Sequence, residues 1–258
     1  MTTDTSTIRF VWKSALFRAL VLLFISSLCS LFQTTVATSQ VNSEEVLNKL
    51  RLLGAKICAN SDDTYDVDIS FSGTTKFPGW MGKTEDLNML ANIPLRSLYV
   101  SGFDVGMSNV EEFNFLTDCT GLTRLKLGVL RPNQNFVDNL SGLSNLVELD
   151  LFLLESKVSY SELSRLENLE KLKLVFQSVD FRDVDFIFEC NSLKTVNLGI
   201  GSSKLPDRIV DQFSIQETIQ ELEIQGYGNY LSVEQYSNLL TNDSLTLKLT
   251  IFRDQEKS

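Results

Sequence analysis

Histidine is absent from this 258-residue chain. Its absence removes the commonest general base, the commonest metal ligand and every histidine-containing catalytic triad. Basic residues are also scarce, because 23 lysines and arginines stand against 33 acidic residues and leave a formal net charge of −10. Nucleic-acid binding requires a basic surface, so the composition argues against it. An acidic surface keeps a protein soluble.

Proline is nearly absent as well, with only four residues, and no low-complexity tract marks a linker. Apolar residues make up 43% of the chain and charged residues 22%, which is ordinary for a globular protein and excludes wholesale disorder. We therefore predict one folded domain behind a distinct N-terminus.

Residues 1–37 differ in composition from the rest of the chain. Basic residues precede an apolar run over 19–32, about 14 residues and shorter than the ~20 of a membrane-spanning helix. Small residues at Thr35 and Ala37 suit a signal-peptidase site. We predict a cleaved signal peptide and an exported protein, extracellular or periplasmic. Two alternatives remain open, an uncleaved anchor that attaches the protein to a membrane through residues 15–32, and a cytoplasmic chain.

An internal repeat dominates the remaining sequence. Six segments share the order leucine or isoleucine, two other residues, then two apolar residues separated by one. They are Leu95–Val100, Leu122–Leu127, Leu146–Leu151, Leu169–Leu174, Leu193–Leu198 and Ile219–Ile224. Their starts are 27, 24, 23, 24 and 26 residues apart. The spacing of two predicts a short strand with alternate residues facing inwards.

Further apolar residues lie nine, six and three positions before the first leucine of a segment. A spacing of three predicts a short helix or 3₁₀ turn with one buried face. Neither face can be buried by one unit alone, so stacked units are expected to form a parallel sheet backed by a row of short helices. These residues are Phe113, Leu116 and Cys119; Val137, Leu140 and Leu143; Tyr160, Leu163 and Leu166; and Val184, Ile187 and Cys190.

This pattern resembles the leucine-rich-repeat family, whose units run to roughly 20–29 residues. With Asp66–Ser70 and Leu245–Leu249 as looser end strands, we expect about seven to eight repeats. The asparagine that the family usually places after the strand is missing, so the repeats are irregular. The chain also resembles exported bacterial repeat proteins. The resemblance implies an α/β solenoid with a curved parallel sheet on the concave side and short helices or 3₁₀ turns on the convex side.

Both ends of the repeat array have predicted features. We assign residues 38–63 to a capping helix and a lead-in loop, and 64–258 to the repeat domain. The helix is predicted over Glu44–Leu53, with one apolar stripe and with Gly54 as its terminator. It would cover the open end of the first repeat. Nothing equivalent follows Phe252, so the last strand is expected to be an exposed edge.

The cysteines raise the question of disulfides, because Cys58, Cys119 and Cys190 would lie in an oxidising compartment after export. Cys119 and Cys190 occupy the same column three units apart, which separates them by about 14 Å. That distance is beyond the ~7 Å limit for a disulfide. We predict that both are core residues in place of leucine. The same distance argues against a thiol-based metal site, and we predict no metal and no cofactor.

Candidate binding residues lie on the concave face, whose side chains are not needed for the core. Charges there alternate in sign between adjacent strands, which fits a structural ladder worth a few tenths to ~1 kcal/mol per pair. It also fits a ligand-reading surface with Tyr99 and Phe152 as aromatic anchors. Glu221 and Glu223 share a strand without a nucleophile nearby, so we interpret them as solvated acids and not as catalytic groups. The candidate partner-binding residues are Tyr99, Arg124, Lys126, Glu148, Asp150, Phe152, Lys171, Lys173, Glu221 and Glu223.

The function predicted from these features is not enzymatic. We predict an exported protein–protein interaction module that holds a protein or peptide on its concave face, since a pre-formed surface lowers the ordering cost of association. The alternative is a membrane-anchored or envelope-associated structural spacer with no specific concave ligand.

Overall fold

The computed structural model of the protein describes residues 43–71, 79–101, 110–129, 132–155, 158–178, 181–201, 204–227 and 231–252. The predicted signal segment over 1–37 lies outside these ranges. The chain divides into two compact units, residues 1–45 and 46–258, and the architecture that follows is that of the second unit. No helix within the described ranges has both the length and the apolar character needed to cross a membrane.

Nine strands of the described residues form one sheet in which the spatial order equals the chain order. They are β1 (Lys56–Ala59), β2 (Tyr65–Ser70), β3 (Leu95–Ser101), β4 (Arg124–Val129), β5 (Glu148–Glu155), β6 (Lys171–Ser178), β7 (Thr195–Gly199), β8 (Glu221–Tyr227) and β9 (Thr246–Phe252). The first pair, β1 with β2, is antiparallel, and every later pair is parallel. This is an α/β protein with a mostly parallel sheet, consistent with a leucine-rich-repeat array.

Each parallel connection between described strands runs through a short helix, because parallel neighbours need a crossover to return the chain to the same edge. Both predicted kinds of helix occur. The α-helices are α1 (residues 43–52), α2 (Gln134–Ser141), α3 (Asp207–Ile215) and α4 (Val233–Leu239). The 3₁₀ helices cover Thr84–Asn92, Val110–Asp118, Ser161–Arg165 and Phe181–Phe188.

The core lies between the sheet and these helices, as the repeat predicts. From β3 to β8 the register stacks one inward leucine or valine of each strand against the same position of the next, and none of these is more than 2% exposed. That row is Leu98, Leu125, Leu149, Leu172, Val196 and Leu222. All twelve apolar residues predicted upstream of the strands are buried too. Each fully buried aliphatic side chain contributes about 1.5–3 kcal/mol.

A backbone ladder links the turns that precede the strands. The carbonyl of Thr123 accepts from the N–H groups of Val147 and Glu148 at 2.8 and 3.1 Å. The carbonyl of Val147 in turn accepts from Glu170 and Lys171 at 2.9 and 3.0 Å. Because buried backbone groups must be paired, this repeated pair of hydrogen bonds to one carbonyl holds successive units in one register.

Two asparagines add a side-chain link at the same level. The Nδ2 of Asn145 donates to the carbonyl of Thr120 at 2.9 Å, and that of Asn168 donates to the carbonyl of Ser144 at 2.8 Å. Both stand immediately before the first leucine of a unit. In these irregular repeats an asparagine before the strand therefore joins neighbouring units.

The predicted N-terminal helix is confirmed as α1 and ends in a Schellman motif. The N–H of Gly54 bonds to the carbonyl of Arg51 and that of Ala55 to the carbonyl of Leu50, both at 3.0 Å. Gly54 has φ +101°, and a Cβ there would lie 2.8 Å from the carbonyl oxygen of Gly79. Only glycine fits this close, left-handed turn.

The predicted lead-in loop contains strand β1, which pairs with the edge of β2. The reversal between them depends on Asp63, which has φ 59°, and on Thr64, whose carbonyl accepts from the N–H of Asn60 at 2.9 Å. The hydroxyl of Thr64 also donates to Oδ1 of Asp62 at 2.6 Å. A four-residue strand outside the repeat has too little pattern to predict from sequence.

Leu149→Asp tests the proposed stacking. Leu149 is 0% exposed in the central strand β5, so the substitution would bury an unpaired charge. We expect it to abolish cooperative unfolding or to lower the free energy of unfolding by several kcal/mol. A Leu→Ala cavity mutation alone costs about 2–5 kcal/mol. Urea unfolding followed by circular dichroism measures it. The control is Leu52→Asp, at a leucine that is 77% exposed, where we expect a loss within about 1 kcal/mol. Equal free energies of unfolding for the two variants would contradict the register.

Candidate binding surface

The face of the sheet that points away from the core is called here the exposed face. It carries three rows of residues, and each row has one residue per strand. From β3 to β8 the first row is Ser97, Arg124, Glu148, Lys171, Thr195 and Glu221; the middle row is Tyr99, Lys126, Asp150, Lys173, Asn197 and Glu223; and the third row is Ser101, Gly128, Phe152, Val175, Gly199 and Gln225. All ten predicted binding residues therefore lie on one face. Their role in binding stays a prediction.

Ion pairs between strands occupy the middle row. Oδ2 of Asp150 lies 3.4 Å from Nζ of Lys126 on one side and 3.9 Å from Nζ of Lys173 on the other. Both lysines are well exposed, and exposed pairs contribute only about 0–1 kcal/mol each. At this position the alternation of charge serves the sheet.

Glu223 is the most heavily bonded acid of the middle row. Its carboxylate accepts from Nζ of Lys248 at 2.8 Å, Nδ2 of Asn197 at 2.8 Å and Nε2 of Gln225 at 2.9 Å. The Lys248 ammonium, with the other donors, holds the pKa of Glu223 below its usual value. Glu223 is thus a paired carboxylate and differs from the solvated acid that we expected, whereas Glu221 is exposed.

The first row behaves differently. Arg124, Glu148 and Lys171 face one another in register on β4, β5 and β6. Among the described residues they form no ion pair within 4 Å, although their charges oppose. An exposed pair gains too little to outweigh the side-chain entropy and hydration that it loses. In this row the opposed charges therefore do not form an ion-pair ladder.

The third row contains a short apolar ridge formed by Phe152 and Val175. Phe152 is 46% exposed, and Val175 is its register neighbour on β6. Gly128 and Gly199 flank the ridge in the same row. A Cβ at Gly199 would lie 2.9 Å from Cγ1 of Val175, so the glycine leaves the space into which the valine leans. The ridge therefore has a glycine on each side of it in the row, and Val175 covers the backbone of Gly199.

A polar cluster at the N-terminal end of the face was missed from the sequence. Arg96 donates from Nε to Oδ1 of Asp66 at 3.2 Å and from Nη2 to Oδ2 at 2.6 Å. Nη2 of Arg96 also donates to Oδ1 of Asn60 at 2.6 Å, and the hydroxyl of buried Ser97 donates to Asp66 at 2.6 Å. The Arg96 guanidinium lowers the pKa of Asp66 from 3.8 to about 2.

The Asp66–Arg96 pair predicts an acid-dependent loss of stability. Because the folded pKa of Asp66 is depressed, its contribution is present above pH 3.8 and is lost as the pH falls towards 2. Allowing for partial exposure, we expect about 1–2 kcal/mol. Urea unfolding at pH 6 and pH 2 measures it, and Asp66→Asn should flatten this pH dependence. Asp68→Asn, two residues along β2, is the matched control. An unchanged pH dependence in Asp66→Asn would contradict the pairing.

The cysteines confirm the predicted core role. Cys119 and Cys190 are buried, their thiols donate to the carbonyls of Phe115 and Leu163, and both are unbridged. Burial raises the pKa of Cys119 to about 12 and that of Cys190 to about 11. Cys58, on β1, is exposed. No group of three or more potential metal-ligating side chains occurs in the described part of the chain.

Thiol alkylation should therefore distinguish exposed Cys58 from buried Cys119 and Cys190. With iodoacetamide at pH 8 in the folded protein, we expect Cys58 to be labelled while Cys119 and Cys190 stay unmodified, because a buried protonated thiol is neither accessible nor nucleophilic. Peptide mass spectrometry before and after unfolding in urea reads the result. Rapid native labelling of Cys119 or Cys190 would show that the repeats open at these positions.

Comparison with known proteins leaves the family open. No family profile matches the chain, and no curated protein matches it. Among solved structures, an internalin, inlF, from Listeria monocytogenes is similar at a TM-score of 0.39 and 19% identity. The similarity covers 66% of this chain and 51% of that one, so the chain spans about half its length. At so low a TM-score and identity this similarity does not define the structural class, which rests on the strand order of the sheet and on the buried repeat residues.

Proposed function

We propose that this protein is a non-enzymatic interaction module that binds a protein or peptide partner on the exposed face of its sheet. The observation that carries the proposal is Phe152, a large aromatic side chain left 46% exposed in the middle of that face. The fold does not need it there, because the core lies on the opposite side of β5. Export through the segment 1–37 and a concave curvature of the face are part of the same proposal.

Phe152 has the properties of an interface anchor. Binding energy concentrates in a few central residues, with aromatic side chains prominent at the core of interfaces. Strands β4 to β6 hold the apolar ridge on regular, paired backbone. A partner that covers the ridge would lose little conformational freedom of this protein, which lowers the cost of association.

The charges around the ridge favour an acidic partner. On the exposed face of β4 to β6 four cations stand against two anions, although the whole chain carries a net charge of −10. Asp150 is already shared by two lysines, whereas Arg124 and Lys171 have no ion pair with Glu148 between them. Complementary charge steers association and selects partners. We therefore expect a segment that presents carboxylates beside an apolar side chain.

Selection from a displayed random-peptide library tests the proposal. Peptides selected on the wild-type protein should be rich in acidic and apolar residues, and Phe152→Ala should weaken them about 10- to 100-fold in a fluorescence titration. Arg124→Glu with Lys171→Glu should weaken them as well and remove most of the salt dependence.

Leu52→Ala is the matched control, since Leu52 is an exposed apolar residue on α1, away from the sheet. It should leave the affinity unchanged. Peptides that bind Phe152→Ala as tightly as the wild type would exclude this face and favour the alternative function, a structural spacer without a specific ligand on the sheet.

A further inference from the structure

The two edges of the sheet differ in how their strands are paired. The edge of β2 is covered by the antiparallel strand β1. At the other edge β9 pairs with β8, and no strand within the described ranges pairs with its outer side. An unpaired edge presents backbone donors and acceptors to any chain that can align with it.

The apolar row of β9 is also incompletely buried. Leu222 and Ile224 on β8 are buried, whereas their register neighbours Leu247 and Leu249 on β9 are only partly buried. Ile251, next along the same row, is 60% exposed. Every interior strand has this row covered from both sides, and β9 has it covered from one.

Helix α4 presents a second apolar row at the same end. Nε2 of Gln235 donates to Oδ1 of Asp207 at 2.6 Å, and Nδ2 of Asn238 lies 3.4 Å from Oδ1 of Asp211, so both face α3. With 3.6 residues per turn, the opposite side of α4 points away from the preceding repeat. That side carries Val233, Tyr236 and Leu240, which are 84%, 41% and 54% exposed.

These residues make up one end face, defined by Val233, Tyr236 and Leu240 of α4 and by Leu247, Leu249 and Ile251 of β9. Large exposed apolar patches on soluble proteins mark interaction sites. The charged side chain on β9, Lys248, is held by Glu223 at 2.8 Å on the other side of the strand. Lys248 therefore lies off the apolar row that β9 contributes to the end face.

We propose that the end face binds the end face of a second copy of this chain, with the two β9 strands antiparallel about a two-fold axis at Leu249. In that register all seven residues of Thr246–Phe252 face a residue of the other strand. Leu249 faces Leu249, and Leu247 faces Ile251 of the second copy. The apolar rows thus match, and the interface is self-complementary, as a two-fold interface must be.

Charge selects the same register. With the axis at Leu249, Lys248 faces Thr250 of the second copy and keeps its ion pair with Glu223. Moving the axis by one residue to Lys248 would place the two lysines directly opposite, which is unfavourable. The net charge of −10 opposes association at long range, so added salt should strengthen the dimer.

Sedimentation equilibrium on the purified full chain, in the processed form that the cell produces, tests the dimer. We expect a two-chain mass at micromolar concentration, and a one-chain mass for the double variant Val233→Glu with Leu240→Glu. Both positions are exposed, so the variant should keep the wild-type circular dichroism spectrum and unfold cooperatively, at a temperature lowered only by the loss of the dimer. Leu52→Glu places one glutamate at an exposed apolar position of α1 and should remain a dimer.

Either a one-chain mass for the wild type or a two-chain mass for the double variant would overturn the proposal. A one-chain mass for the wild type would indicate that the end face binds a partner other than a second copy. Phe152→Ala should leave the mass unchanged, so the dimer and the peptide-binding face are tested separately.

Cysteine cross-linking tests the register. In a background that carries Cys29→Ser and Cys58→Ser, oxidation of Leu249→Cys should give a covalent dimer, because facing residues of antiparallel strands lie within disulfide reach. Leu247→Cys, on the same row of β9, should not cross-link to itself, since it faces Ile251. Cross-linking of Leu247→Cys in place of Leu249→Cys would overturn the register.

Discussion

Stacking of one apolar row per strand against the same row of the next repeat is the interaction on which the rest of the structure depends. Leu125, Leu149 and Leu172 are buried only because the neighbouring repeats cover them. A single unit cannot bury its own row, so the array gains stability as a unit and not repeat by repeat. The backbone ladder at Thr123 and Val147 follows from the same register, because a slip of one residue would turn the apolar row to solvent.

A stack of this kind has two ends, and the chain treats them differently. At the N-terminal end of the sheet, β1 pairs with the edge of β2 and the turn at Gly54 brings the buried side of α1 to the core. At the other end, β9 and α4 leave their apolar rows partly or largely exposed. The asymmetry follows from topology, since each described repeat covers the apolar row of the repeat before it.

The exposed face of the sheet is free of the demands of packing, and its composition reflects two uses. In the middle row the charged side chains form ion pairs with one another, through Asp150 and Glu223. In the first row Arg124 and Lys171 form no ion pair with Glu148 between them, and the ridge of Phe152 and Val175 adds apolar surface beside them. An alternating charge pattern therefore contains both a structural ladder and a set of unpaired groups, although the two look alike in sequence.

The sequence by itself determined the repeating strands and helical turns, the terminator at Gly54 and the burial of Cys119 and Cys190, because spacings of two and three residues are local consequences of strand and helix geometry. It also determined which ten side chains share one face. Only the tertiary structure decided which of their charges pair, that β1 covers an edge, and that Arg96 binds Asp66 thirty residues away. Those outcomes depend on side-chain conformations between neighbouring repeats, and no periodicity within one repeat encodes them.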